Sequence, residues 1–572
     1  MTFAGRGIRT ALCVVALCLI GPHAAAQAPP SDGPPYERGA LVFVVPGLSF
    51  EEALSVPEIA ALARAGGAGL LANADDFGVP RTPVVPGDRV EVPREQIVIL
   101  DPASPGGLPA VGAEIRRRVI GFPAADVLVL VFGQFPSPSM IAARDELFPL
   151  VMAHGPPAEL FPASGRMDTL TSDSTRRSGV VTGSDVQATV AAFMQIGAPP
   201  AGEVVREVRD SPPFELHERY LAMRRMVVPI ETAAGVYGAI AALLAAALLW
   251  RRRGPQWLLR VAAWGALSSS ALVVGLFAAG HLPTLSYATV VPFVVAVTVL
   301  GTSAFVPLGR RDPLLVPAGI GAAVLAFFAV EAALGWTAAL TTLHGGSELD
   351  GGRFYGLPNA FIGLLIGASV YVAHRLRPWY GFALILGVGL FAGLPYIGSN
   401  LGGAVSLFAA AGIWLAIRER HRLGSWRGIA VVAGTVVLGT AVVLVAHRLA
   451  PDATHITRFE ESSGGLAGAW STFLARLGVG WRLIERNPFG LIPVVGLFGC
   501  LWLALRPPTA VLEAFAAYPG WRDVVVTIVL AGIVAYVAND SGAAAGGMAF
   551  ALGLGGLMYV SLTVAAAKME PT

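Results

Sequence analysis

"VPIETAAGVYGAIAALLAAALLW", Val228 to Trp250, decides what kind of protein this is. It is longer than the roughly 20 predominantly apolar residues that a helix needs to cross a bilayer, and it stops at Arg251, Arg252 and Arg253. Ten further runs of this character follow before the chain ends: approximately Trp257 to Gly280, Leu285 to Val306, Leu314 to Trp336, Leu357 to Ala373, Trp379 to Ile397, Leu401 to Ile417, Ile429 to His447, Phe489 to Leu505, Val524 to Ala538 and Ala543 to Ala565. Eleven spans in all are expected. At 572 residues, 55% hydrophobic and 14% charged, the chain is too apolar for a soluble enzyme of its length.

Upstream the pattern changes. Residues 28–226 are mixed in polarity, with short apolar strands at Leu41 to Val45, Ile97 to Leu100 and Val127 to Phe132 alternating with helical stretches such as Pro57 to Arg64. That alternation predicts an α/β domain, residues 27–226, with a mainly parallel sheet, followed by an all-α polytopic bundle over residues 227–568. At the start, Arg6 and Arg9 precede an apolar run from Ala11 to Ile20 and Ala24-Ala25-Ala26, the pattern of a secretory signal peptide ending at residue 26.

Loop charges are consistent with that export. With the α/β domain outside, fifteen basic residues fall in the inner loops and six in the outer ones. The expected location is therefore a bacterial cytoplasmic membrane, with the α/β domain extracytoplasmic. A formal charge of +2 gives no nucleic-acid footprint. Cys13 and Cys18 lie in the signal and Cys500 in an apolar run, so no disulfide is expected in the mature chain.

The polar clusters of the bundle fall on one face. "LDGGRFYGLPN" (Leu349 to Asn359) precedes the fifth run, "IGSN" (Ile397 to Asn400) the seventh, "PDATHITRFEE" (Pro451 to Glu461) opens the long loop before the ninth, and "NDSG" (Asn539 to Gly542) ends the tenth. In that long loop Leu466, Trp470, Phe473, Leu474, Leu477 and Trp481 recur at helical spacing, which fits an interfacial helix or one packed on the bundle.

Two segments of the α/β domain resemble the alkaline phosphatase superfamily: "ALVFVVPGLSFEEALSVPEIAALARAGGAGLL" (Ala40 to Leu71) and "TLTSDSTRRSGVVTGSDVQATVAAFMQIGAP" (Thr169 to Pro199). Hydrolases of that superfamily hold two metal ions with Asp and His ligands. Here Pro46 stands where the first strand would end in Asp. Asp173 matches the family's aspartate, and Ser174 replaces the histidine beside it. His154 and His217 lie outside the ligand frame. The resemblance therefore implies an alkaline phosphatase-like fold without phosphoesterase activity, a pseudoenzyme domain. "TSDSTRRSG", "RFYGLPNAFIG", "THITRF" and "VANDSG", in that order, also resemble a group of bacterial proteins that join such a degenerate domain to a polytopic membrane region. Pro358 stands where that group has Gly. This resemblance implies architecture and leaves the activity to the residues.

Those residues suggest a chemistry. Asp350, Arg353, Tyr355 and Asn359 suit an anionic headgroup, Arg as a forked donor and Tyr and Asn as orienting groups; an ordered polar turn is the plainer alternative. His455 has Asp452 and Arg458 nearby, the makings of a general base with an orienting carboxylate and a phosphate contact, or of a solvated loop. Asn539 and Asp540 end a span, where a carboxylate needs a partner, for which Arg353 is the candidate. Glu331, near the end of span four, is in the same position. His281, His344 and His447 do not form a metal constellation, and no metal or cofactor is expected.

The expectation is an outer cavity of Asp350, Arg353, Tyr355, Asn359, Asn400, Asp452, His455, Arg458, Asn539 and Asp540, in contact with membrane lipid. It would take an anionic lipid-linked or phosphorylated glycan precursor, alongside other envelope-biosynthesis proteins. A transferase or polymerase using His455 or Asp540 as base is the first hypothesis. A flippase or transporter for the same precursor and a non-enzymatic envelope scaffold are the alternatives; the scarcity of charges within the spans weighs against transport.

Overall fold

The computed structural model describes residues 38–72, 95–103, 106–122, 124–134, 136–195, 202–209, 213–251, 255–344, 349, 354–450, 454, 456–457, 496–500, 502–503, 506–539 and 542–568. Eight strands form one sheet: β1 (Arg38–Pro46), β2 (Gly67–Ala72), β3 (Glu95–Ile99), β4 (Asp126–Gln134), β5 (Phe148–Gly155), β6 (Asp168–Thr171), β7 (Val180–Thr182) and β8 (Arg206–Val208). Their order is β3-β1-β4-β5-β2-β6-β8, with β7 paired to β2. Five helices accompany them: α1 (Phe50–Ser55), α2 (Pro57–Ala65), α3 (Gly107–Ile120), α4 (Pro138–Ala143) and α5 (Gly183–Met194).

The run of β1 is apolar without alternation because helices cover both faces. Leu41, Phe43 and Val45 pack with Ile59, Leu62 and Ile115 of α2 and α3, while Ala40, Val42 and Val44 pack with Val186 and Val190 of α5. The sheet is mixed, with four parallel and three antiparallel pairings among the described strands. β3, β1 and β4 run parallel, as do β2, β6 and β7, but β5 lies antiparallel between β4 and β2, and β8 antiparallel to β6. The physical reason is the β4 to β5 connection, whose only helix is the six-residue α4. At about 9 Å, α4 is too short to carry the chain back along the nine-residue β4 for a parallel return.

The polypeptide passes from sheet to bundle along a single helix, α6 (Phe214–Arg251), 38 residues long. At 1.5 Å per residue it extends about 57 Å. Its first turns bury Tyr220, Met223 and Met226 in a cluster that also contains Phe50, Leu70 and Val180 from the sheet region and Leu276, Leu285, Leu343 and Phe354 from the helical region. Farther along, Ile240, Leu243 and Trp250 are exposed. Bare apolar side chains of that size belong against lipid.

The remaining helices are α7 (Gln256–Ala278), α8 (Tyr287–Ser303), α9 (Leu315–Ala333), α10 (Ile362–His374), α11 (Pro378–Gly393), α12 (Leu401–Arg418), α13 (Arg420–Arg448), α14 (Thr509–Ala517), α15 (Trp521–Ala538) and α16 (Gly542–Ala567). Among the described residues eight helices are long and apolar enough to cross a membrane: α6 to α9, α12, α13, α15 and α16. α10 and α11 are apolar but shorter. Most of the Phe489 to Leu505 run and all of the 466–481 stretch lie outside the described residues. α10 is buried deep in the bundle: eleven of its thirteen residues are buried, and Gly363 and Gly367 let α16 approach so closely that a Cβ on either would collide with Ala545 or Leu552.

Candidate functional site

The β6–β7 turn, "SDSTRRSG", is held from below by one carboxylate. Asp185, fully buried in the first turn of α5, accepts from the Ser174 hydroxyl at 2.6 Å, from the Thr182 amide at 2.9 Å and from the Glu203 amide at 2.9 Å. Thr175 Oγ1 donates to Val180 O at 2.8 Å, closing the turn on itself. Asp173 points away and pairs with Arg206. Asp185 is thus occupied within the turn, and Asp173 lies in a half-exposed ion pair. Among the described residues no group of three His, Cys, Asp or Glu side chains is placed to hold an ion.

What the turn presents to the helical region is two adjacent arginines. Arg177 is buried, and its guanidinium donates to three backbone carbonyls: Phe354 O at 2.7 Å, Gly335 O at 2.6 Å and Trp336 O at 3.3 Å. These are ends of chain segments that no helix satisfies, just past α9 and just before α10. Arg176 adopts a left-handed backbone, φ 54°, and its guanidinium lies between two tyrosine rings, 4.2 Å from the centroid of Tyr355 and 4.2 Å from that of Tyr396. Its Nη2 is buried without a hydrogen-bond partner. The His447 ring is within electrostatic reach of Arg176, and its two nitrogens face Gly393 O at 2.8 Å and Thr454 Oγ1 at 2.9 Å.

The segments carrying those tyrosines are joined to each other. Asn400 caps α12 by accepting from Gly403 N at 2.8 Å, and its amide donates to Leu357 O at 2.9 Å and Asn359 Oδ1 at 2.7 Å. The Leu357 amide donates to Gly398 O at 2.8 Å. Gly356, φ 96°, is required there, since a Cβ would sit 2.3 Å from that same oxygen. Trp336 Nε1 donates to Ile397 O at 2.5 Å. On the far side of α12, Asn539 donates to Ala535 O at 2.8 Å and Ser406 Oγ at 3.2 Å, and its Oδ1 is buried and unbonded beside Gly402.

Three chain segments ending in Asn thus start three helices at one end of the bundle: Asn359 before α10, Asn400 before α12 and Asn539 before α16. Helix N-termini carry unpaired N–H groups and a partial positive charge. Six non-glycine residues in the described chain have left-handed backbones, and four of them, Arg176, Trp336, Tyr396 and Ser399, lie at this one junction. Strain of that kind collects at functional sites.

Of the ten residues expected from sequence, Tyr355, Asn359, Asn400 and Asn539 are described. The first three share one hydrogen-bonded and stacked cluster with Arg176, and Asn539 lies beside it across α12. Asp350, Arg353, Asp452, His455, Arg458 and Asp540 lie outside the described residues, as does the expected Arg353–Asp540 pair. Glu331 pairs with His281, and His344 Nδ1 lies 3.1 Å from Glu231. His281, His344 and His447 therefore have separate partners. Sequence reasoning missed Arg176, Arg177, Trp336, Tyr396 and His447. The adjacent "RR" in a turn otherwise built of Ser and Thr was the available signal.

No known protein family, curated protein or solved structure matches this chain.

Proposed function

We propose that the junction is an extracytoplasmic site of a bacterial inner-membrane protein that handles an anionic lipid-linked or phosphorylated glycan precursor of the cell envelope. The α/β region would be a degenerate alkaline phosphatase-like domain that acts by shape, and the bundle would complete about eleven spans. The observation that carries this reading is the convergence at one end of the bundle. Four sequence-distant segments, 176–177, 335–336, 354–359 and 396–400, bring two arginines, two tyrosines, the start of α12 capped by Asn400 and the approach to α10 together where a lipid headgroup would lie. Such a site holds an oxyanion by directed N–H groups and covers its sugar or lipid portion with aromatic rings. A transferase or polymerase is the reaction class in view, with His455, oriented by Asp452, or Asp540 as the base, and with Asp350, Arg353, Arg458 and Asn539 completing the pocket.

The test is lipid and glycan profiling of the envelope in a deletion strain, complemented with wild type or with an Arg353→Ala, His455→Ala double variant. Accumulation of a lipid-linked precursor that wild type clears and the variant does not is the expected result. Build-up in the outer leaflet marks a transferase, and build-up in the inner leaflet a flippase. An unchanged profile removes both and leaves a scaffold.

A further inference from the structure

The two adjacent arginines of the β6–β7 turn have different jobs. Arg177 is committed to protein: three backbone carbonyls receive its guanidinium. The Arg176 guanidinium lies against the rings of Tyr355 and Tyr396, 4.2 Å from each centroid, and its Nη2 is buried with no acceptor. A buried guanidinium N–H without an acceptor is costly, and the left-handed backbone at Arg176 adds to that cost. Among the described residues no carboxylate pairs with Arg176. The nearby His447 ring is occupied by Gly393 O and Thr454 Oγ1 and is no acceptor for it.

We infer that Arg176 is the ligand contact that the α/β region supplies to the membrane site, its edge receiving an oxyanion of a phosphate carried by a membrane lipid. This deepens the function proposed above and rests on it. A planar guanidinium edge between two rings matches a phosphate oxygen pair, whereas a neutral polyol would leave the charge uncompensated. Tyr396 is half exposed and lies in the segment between α11 and α12, so the oxyanion sits at the end of the bundle, at the depth of a headgroup and not of an acyl chain. Because the anion touches Arg176 from the sheet region and the helix starts from the bundle, its binding also ties the two regions together.

The experiment uses the purified full chain in detergent, with polyprenyl phosphate, the matching polyprenol and inorganic phosphate as probes, and four proteins: wild type, Arg176→Ala, Arg176→Lys and Arg177→Ala. Wild type is expected to bind polyprenyl phosphate at least about tenfold more tightly than polyprenol. Arg176→Ala should lose that preference, and Arg176→Lys should keep part of it through charge alone. Arg176→Ala removes an unsatisfied donor together with two ring contacts, so it should lower thermal stability without ligand less than Arg177→Ala, which should retain the preference. Competition by inorganic phosphate would show that a free oxyanion suffices, and its failure would show that the lipid is needed; both agree with an Arg176 contact. Binding of polyprenyl phosphate by Arg176→Ala within twofold of wild type overturns the assignment while leaving the proposed function standing. Absence of binding by wild type itself removes both.

Discussion

Replacing Arg177 with alanine tests whether the sheet region is latched to the bundle. The substitution removes donors at 2.7 Å to Phe354 O and at 2.6 Å to Gly335 O, and a weaker one at 3.3 Å to Trp336 O. Hydrogen bonds from a charged group contribute about 1.5–3 kcal/mol each. Two good ones therefore give about 3–6 kcal/mol, and because water can enter to serve the freed carbonyls, about 3 kcal/mol is the working figure. The readout is hydrogen exchange at two amides of the junction: Leu357 N–H, bonded to Gly398 O at 2.8 Å, and Trp336 N–H, bonded to Glu331 O at 2.9 Å. At 1.4 kcal/mol per tenfold, their exchange should accelerate by about 100-fold. Arg177→Lys, which can reach one carbonyl but not three, should give about tenfold. Less than threefold acceleration in Arg177→Ala would refute the latch.

Three other perturbations follow from the same geometry. Gly356→Ala forces a Cβ to within 2.3 Å of Gly398 O at φ 96°, so it should cost on the order of 2 kcal/mol and speed exchange at Leu357. Asn400→Ala loses the α12 cap and the donors to Leu357 O and Asn359, for about 2–3 kcal/mol in thermal unfolding, whereas Asn400→Asp keeps the cap but sets a carboxylate against two acceptors and should recover stability as pH falls. In the sheet region, burial pushes the Glu207 carboxyl above its ordinary range, with its Oε1 left unbonded. The folded state therefore holds that proton more tightly than the unfolded one. Its stabilising effect is complete below the unfolded value of roughly 4.3 and is lost as pH rises through the folded value. Glu207→Gln should be more stable than wild type at neutral pH and equal to it in acid.

The apolar runs were legible because membrane spans declare themselves by length and composition, and each contains described helical residues, the Phe489 to Leu505 run at 496–500 and 502–503. β1 was legible from its unbroken hydrophobicity. The direction of β5 was not, since a strand buried on both faces reads the same in either direction, and only the shortness of α4 hinted at a hairpin-like return. The change at residue 226 is a change in what α6 packs against, which composition registers although the helix continues. Asn359 and Asn400 stood out as polar residues in apolar surroundings. Arg176 did not, because its partners Tyr355 and Tyr396 lie far downstream and stacking of this kind leaves no local pattern. Asp185 was visible as part of a motif, but its use as the anchor of the turn depends on Glu203 and Thr182 and emerges only in three dimensions.

An anionic envelope lipid handled at the end of the bundle where Arg176 docks would leave its mark at that end alone. Tyr396 and Tyr380 are exposed tyrosines at opposite ends of α11, the first just past its C-terminus at that end and the second in its first turn. The decisive measurement is photo-cross-linking in living cells with a benzophenone amino acid at each position, followed by mass spectrometry of the attached lipid. The account predicts a phosphorylated, lipid-linked adduct at position 396 and none at position 380. Equal labelling at both, or only bulk phospholipid at 396, would contradict it.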